Sequence, residues 1–159
     1  MNEIARYLKG RGVPAEPMNI GGTIEVDGVG FTMTMATHSS WLEEAGPGMY
    51  GGVAAGFIIR MDGRVIYHAG DTGLFGDMRL IGEMYAPDVA LLPIGGRYTM
   101  GPREAMMAAE FIGAPVVIPI HYNTNPLIMQ DAEEFRRIIE RTTDLKVIIL
   151  APGEPYQFS

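Results

Sequence analysis

The sequence predicts a layered α/β domain in which antiparallel strands come first and βα units follow. Three observations lead there. Two Asp-Gly pairs, Asp27-Gly28 and Asp62-Gly63, each sit between runs of apolar residues, a strong local signal for a tight hairpin. From Asp77 onward, short apolar runs alternate with stretches of helical spacing, the pattern that sets strands beside helices. At 159 residues the chain has room for one hydrophobic core and too little for two, so residues 1–159 are expected to form a single domain.

Residues 2–9, NEIARYLK, read as a short amphipathic helix closed by Gly-Arg-Gly and then Pro14. The first hairpin lies in GGTIEVDGVGFTMTMATH and the second in GFIIRMDGRVIYHAGD. Then DMRLIGEMY has helical spacing, PDVALLPIGG is a short apolar strand, and PREAMMAAEFIG is a helix with Pro102 in its first turn. PVVIPIH is another buried strand. DAEEFRRIIERT is a helix capped by Asp131 with acidic residues in its first turn, and LKVIIL is a final core strand. The methionines at 33, 35, 78, 84, 106, 107 and 129 fall on apolar faces and read as core filler. The loop SSWLEEAGPGMYGG carries the only tryptophan, Trp41, and is either a lid, the rim of a pocket or a surface connection. Its Glu43 and Glu44 read as a solvated loop pair, because nothing places them on a rigid element for acid–base work.

Composition narrows the chemistry. With no cysteine, disulfides, thiolate metal sites and thiol catalysis are excluded, and any metal must be held by His, Asp or Glu. Twelve Lys and Arg against 19 Asp and Glu, a net charge of -7, give no electrostatic footprint for nucleic acid. There is no apolar run of membrane length and no secretory pattern at the start, so no membrane partner and a cytoplasmic location are expected.

Three segments repeat one arrangement, an apolar strand with a metal-type ligand at its C-terminal tip. FTMTMATHSS gives His38, RVIYHAGDTG gives His68 and Asp71, and VVIPIHYNTNP gives His121. A lone histidine is more often structural than a ligand, but all three histidines of the chain lie at strand ends, where α/β sheets build their sites. Glycines flank Asp71 on both sides, so backbone can approach the carboxylate closely. His68 precedes Ala-Gly-Asp and reads as a group that hydrogen-bonds and orients that loop. Arg97 and Tyr98 in GGRYTMGP, with Asn123 in HYNTNP, are candidates for substrate contact; hydrogen bonding within their loops is the competing reading. GGRYTMGPRE also opens a helix, as an anion site would, but it lacks the spacing of either nucleotide fingerprint.

THSS, YHAGDTGLFGDM, PDVALLPIGGRYTMGPREA and PIHYNTNP closely resemble the small prokaryotic metal-dependent hydrolases of the metallo-β-lactamase fold, a group related to ascorbate-6-phosphate lactonase. The resemblance runs along the whole chain. It implies an αββα sandwich, of which this chain would be the C-terminal portion, with two β-hairpins followed by βα units. It implies a divalent metal, zinc first and manganese or iron next, held by His38, by Asp71 as a bridging carboxylate and by His121. Asp71 and His121 would then be the catalytic residues, and the reaction would be hydrolysis of an ester, lactone or phosphodiester. The family's His-x-His-x-Asp-His motif is absent from this sequence, so the chain is expected to lack the family's N-terminal third. His38, Asp71 and His121 alone would make a poor site, since catalytic zinc takes about three protein ligands and a water. An apolar sheet face left open would be covered by another copy of the chain, giving a homodimer or higher oligomer. The competing reading is a non-catalytic oligomeric binding or remnant protein that keeps half of the fold.

Overall fold

A computed structural model describes residues 1–42 and 50–158. The chain begins with helix α1 (Asn2–Lys9), then forms β1 (Thr23–Val26), β2 (Val29–Met35), β3 (Ala55–Met61) and β4 (Arg64–His68). Helix α2 (Met78–Tyr85), β5 (Val89–Pro93), α3 (Pro102–Ile112), β6 (Val116–Ile120), α4 (Ala132–Thr142) and β7 (Lys146–Val147) follow. The strands make one seven-stranded sheet whose spatial order is the chain order, β1 to β7.

Both hairpin turns form where the Asp-Gly pairs stand. Asp27 and Gly28 take φ of 50° and 80°, and Asp62 and Gly63 take 51° and 74°. Two consecutive left-handed residues match the twist of antiparallel strands, and Asp-Gly adopts that pair at little cost. β1 through β4 are therefore antiparallel, and β4 through β7 are parallel with α2, α3 and α4 as the crossovers. Asp131 caps α4 by accepting from the Glu134 N–H at 2.9 Å. Glu104 closes the start of α3, where its Oε2 accepts from the Gly101 N–H at 3.1 Å.

Alternation along the strands divides the sheet into two faces. Ile58, Tyr67, Ala90, Leu92 and Val117 point to the face covered by α2, α3 and α4, where they join Met78, Ile81, Ala105, Ile112, Phe135 and Ile139 in one core. Each fully buried aliphatic side chain here stabilises the fold by about 1.5–3 kcal/mol. The helices come close because Gly82 has no side chain: a Cβ there would stand 2.3 Å from the Ile112 carbonyl oxygen. The opposite face carries Phe31, Phe57 and Ile59, all half-buried. The N-terminal segment leans over part of it, leaving a cavity bounded by Met1, Pro14, Met18, Phe31 and Phe57.

Two expectations need correction. Met33 and Met78 are core residues, but Met35, Met84, Met107 and Met129 are exposed. α2 and α3 turn one side to the sheet, and Met84 and Met107 stand on the other. The last strand is also shorter than LKVIIL suggests. Only Lys146 and Val147 pair with β6, the Ile148 N–H adds a bond to the Val117 carbonyl, and the chain then leaves the edge. Glu43 and Glu44 lie outside the described residues; Trp41 is exposed and bridges to Tyr50. Among the described residues no helix is long and apolar enough to cross a membrane.

Candidate metal centre

β2, β4, β5 and β6 point the same way, because β2 and β4 both run antiparallel to β3 and β4 to β6 are mutually parallel. Their C-terminal ends share one edge of the sheet. His38 follows β2, Asp71 follows β4, Arg97 and Tyr98 follow β5, and His121 follows β6 directly. The topology thus brings every predicted site segment to one edge.

Two of the predicted ligands meet there. His121 Nε2 stands 3.2 Å from Asp71 Oδ2, with the imidazole about one-third and the carboxylate half exposed. His121 takes a left-handed φ of 53°, which turns its ring out of the strand line. The turn is possible because residue 95 on the neighbouring strand end is glycine: a Cβ there would lie 2.5 Å from the His121 carbonyl oxygen and 3.3 Å from its Nδ1. Asp71 sits in a turn of the same kind. Gly70, with φ of 68°, passes so near Ala55 that a Cβ would be 2.6 Å from the Ala55 carbonyl.

His121 Nδ1 is buried and has no hydrogen-bond partner among the described residues. A structural histidine normally has both ring nitrogens satisfied, so this is a ring whose bonding needs are not met by protein groups. Imidazole nitrogen beside carboxylate oxygen is a donor pair that suits zinc, manganese and iron alike. His38 does not complete it. That side chain is exposed, its Nδ1 lies 2.8 Å from the Ser39 carbonyl oxygen, and among the described residues no three His, Asp or Glu side chains converge on one metal position.

The remaining predicted residues divide by what they touch. His68 accepts from the Gly70 N–H at 3.0 Å through Nδ1, so it fixes the turn that presents Asp71. Burial pushes its imidazole below the ordinary value, and the nearby Asp71 carboxylate opposes that shift. Asn123 has both ends of its amide engaged by the Gln130 backbone, donating to the carbonyl at 3.0 Å and accepting from the N–H at 2.7 Å. Its role is to close the loop after His121. Arg97 and Tyr98 are exposed, and the guanidinium lies 5.7 Å from the Tyr98 ring centre.

Two residues that sequence reasoning passed over hold these loops together. Gln130 Nε2 donates to the Gly95 carbonyl at 3.1 Å, tying the His121 loop to the Arg97 loop. Thr72 is fully buried, and its hydroxyl accepts from the Thr37 N–H at 2.9 Å. Thr72 was detectable only as a polar residue next to the suspected ligand; Gln130 carried no signal.

A family profile described as a beta-lactamase superfamily domain matches residues 2–122. A UPF0173 metal-dependent hydrolase from Methanospirillum hungatei is 72% identical over 98% of this chain and 71% of its own length. A second, from Methanosarcina mazei, is 54% identical over 99% of this chain and 68% of its own. Among solved structures, a metallo hydrolase from the archaeon Ignicoccus hospitalis superposes with a TM-score of 0.88 at 43% identity, covering all of this chain and 68% of that one. The chain thus spans about seven tenths of the length of the relatives that it matches. On the profile match and the 72% relative, the chain belongs to the UPF0173 metal-dependent hydrolases of the metallo-β-lactamase superfamily.

Proposed function

We propose that this metal-dependent hydrolase acts on an ester, lactone or phosphodiester through a centre built on Asp71 and His121. The observation that carries this reading is the 3.2 Å approach of His121 Nε2 to Asp71 Oδ2 across the end of β5, from the tips of β6 and β4, with the second ring nitrogen unpartnered among the described residues. A bound divalent cation, zinc first and manganese or iron next, would supply Lewis acidity, bringing the pKa of a bound water to about 7.

The chain's own groups do the rest. Asp71 and His121 would hold the cation, and His38, on the same edge, would be the third donor only after leaving the Ser39 carbonyl. His68 keeps the Asp71 turn in place through the Gly70 N–H. Arg97, exposed beside this edge, offers five N–H donors to an anionic part of the substrate, and Tyr98 offers an aromatic face. A second copy of the chain covers the half-exposed Phe31, Phe57 and Ile59 face.

The test is metal content by mass spectrometry on protein purified without chelator, together with hydrolysis of chromogenic lactones and phosphodiesters and sedimentation to count copies. One or two ions per chain with metal-dependent turnover is expected, and turnover that survives exhaustive chelation would sink the reading. The absence of a three-donor cluster among the described residues favours a second reading, a non-catalytic binding protein. Protein that stays metal-free and inactive in excess Zn²⁺ would select it.

A further inference from the structure

Thr72 occupies a place that neither substrate binding nor core packing explains. It is fully buried at the edge of the sheet, one residue after Asp71. Its hydroxyl does two jobs at once, accepting from the Thr37 N–H at 2.9 Å and donating to the Gly73 carbonyl at 2.7 Å. Alongside it, the Gly73 N–H donates to the Thr37 carbonyl at 3.0 Å. Thr37 is the residue before His38. A third strut comes from the Thr72 carbonyl, which accepts from the Met100 N–H at 2.9 Å, and Met100 in turn accepts from Gly96 at 3.0 Å.

We propose that Thr72 is the positioning residue of this centre, its hydroxyl setting the backbone spacing between the His38 segment and the Asp71 turn. This rests on the reading of His38 and Asp71 as metal donors. Neither donor is joined to the other by its own side chain; the backbones beside them are joined through Thr72. His38 is exposed, and among the described residues its ring has one hydrogen-bond contact, with its neighbour's carbonyl. The β-branch of threonine restricts χ1, so the hydroxyl is held on line for both bonds. Removing it leaves the Thr37 N–H without its partner, and because Thr37 is exposed, water takes up the freed donor and the segment loses that tie to the Asp71 turn.

The experiment compares the full chain with Thr72→Val, which keeps the shape and loses both bonds, Thr72→Ser, which keeps the hydroxyl, and Asp71→Ala. Two quantities are read: Zn²⁺ affinity by competition with a chromogenic chelator, and amide exchange at Thr37 by NMR, with Ile139 in α4 as the reference for global opening. Expected for Thr72→Val is Zn²⁺ binding weaker by about 10–100-fold and Thr37 exchange faster by about tenfold, with Ile139 unchanged. Thr72→Ser should restore both. Thr72→Val with wild-type affinity, or a serine variant that rescues neither quantity, overturns the proposal. If Asp71→Ala binds Zn²⁺ as tightly as the wild type, the metal reading of Asp71 fails on its own. The exchange rate then decides for Thr72: acceleration upholds the tie between the two segments, and an unchanged rate overturns it.

Discussion

The Gly95 Cα faces the His121 backbone so closely that a single added carbon would sit 2.5 Å from the His121 carbonyl oxygen. The absence of a side chain on one strand end is thus what lets the histidine on the next present its ring to Asp71. Gly95→Ala should cost about 1–3 kcal/mol of stability through overpacking and reduce Zn²⁺ affinity, because the carbonyl it strikes belongs to His121, the proposed ligand. Denaturant unfolding and calorimetric titration would check both. Unaltered affinity would mean that the His121 ring is placed by something else.

Gly82 makes the same kind of demand in the core. Alanine would gain about 1 kcal/mol in helix propensity, yet its Cβ would lie 2.3 Å from the backbone oxygen of Ile112. Backbone cannot swing aside as a side chain can, so the clash wins. Gly82→Ala should lower stability by about 1–3 kcal/mol, read as a lower thermal midpoint with the far-ultraviolet spectrum retained.

Tyr67 is fully buried, and neither its hydroxyl nor that of Thr34 has a hydrogen-bond partner among the described residues. Burial holds the phenol well above its ordinary value, partly offset by the Thr34 hydroxyl beside it. Tyr67→Phe removes an unsatisfied polar atom and keeps the ring, so stability should hold or rise by about 1 kcal/mol. A loss above about 2 kcal/mol in chemical denaturation would show that the hydroxyl is satisfied in solution.

His68 gives the fold a pH dependence of definite sign. Its folded-state value lies below the ordinary 6.5, so between the two the unfolded chain binds the extra proton. Its contribution is fully present above pH 6.5 and is lost as pH falls through the folded-state value. His68→Gln should flatten the urea-midpoint profile between neutral and mildly acidic pH. A profile of unchanged slope would place the titration on another group.

What could be read in the sequence was whatever the backbone decides locally. Asp27-Gly28 and Asp62-Gly63 specify left-handed turns by themselves, and Asp131 needs only the amide of Glu134 to act as a cap. The placement of Asp71 and His121 was legible for the same reason, since an apolar run that ends in a ligand puts that ligand at a strand tip. What resisted was every matter of partnership across the fold. Asn123 looked free to meet a substrate until Gln130 took both ends of its amide. Met84 and Met35 looked like core because periodicity reports which face a residue shares, but not whether another layer lies above it. Thr72 drew no notice because its partner is 35 positions away.

The agreement between spatial order and chain order has a consequence for how the protein is made. Each strand, as it leaves the ribosome, finds its hydrogen-bonding neighbour already present, because that neighbour is always the strand synthesised just before it. No edge has to stay open for a strand yet to be translated between two existing ones. The two hairpins close across two-residue turns in microseconds, far faster than elongation at about 5–20 residues per second. The sheet can therefore grow by accretion from β1 toward β7, with the Asp71 turn set before the helix that precedes His121 has emerged.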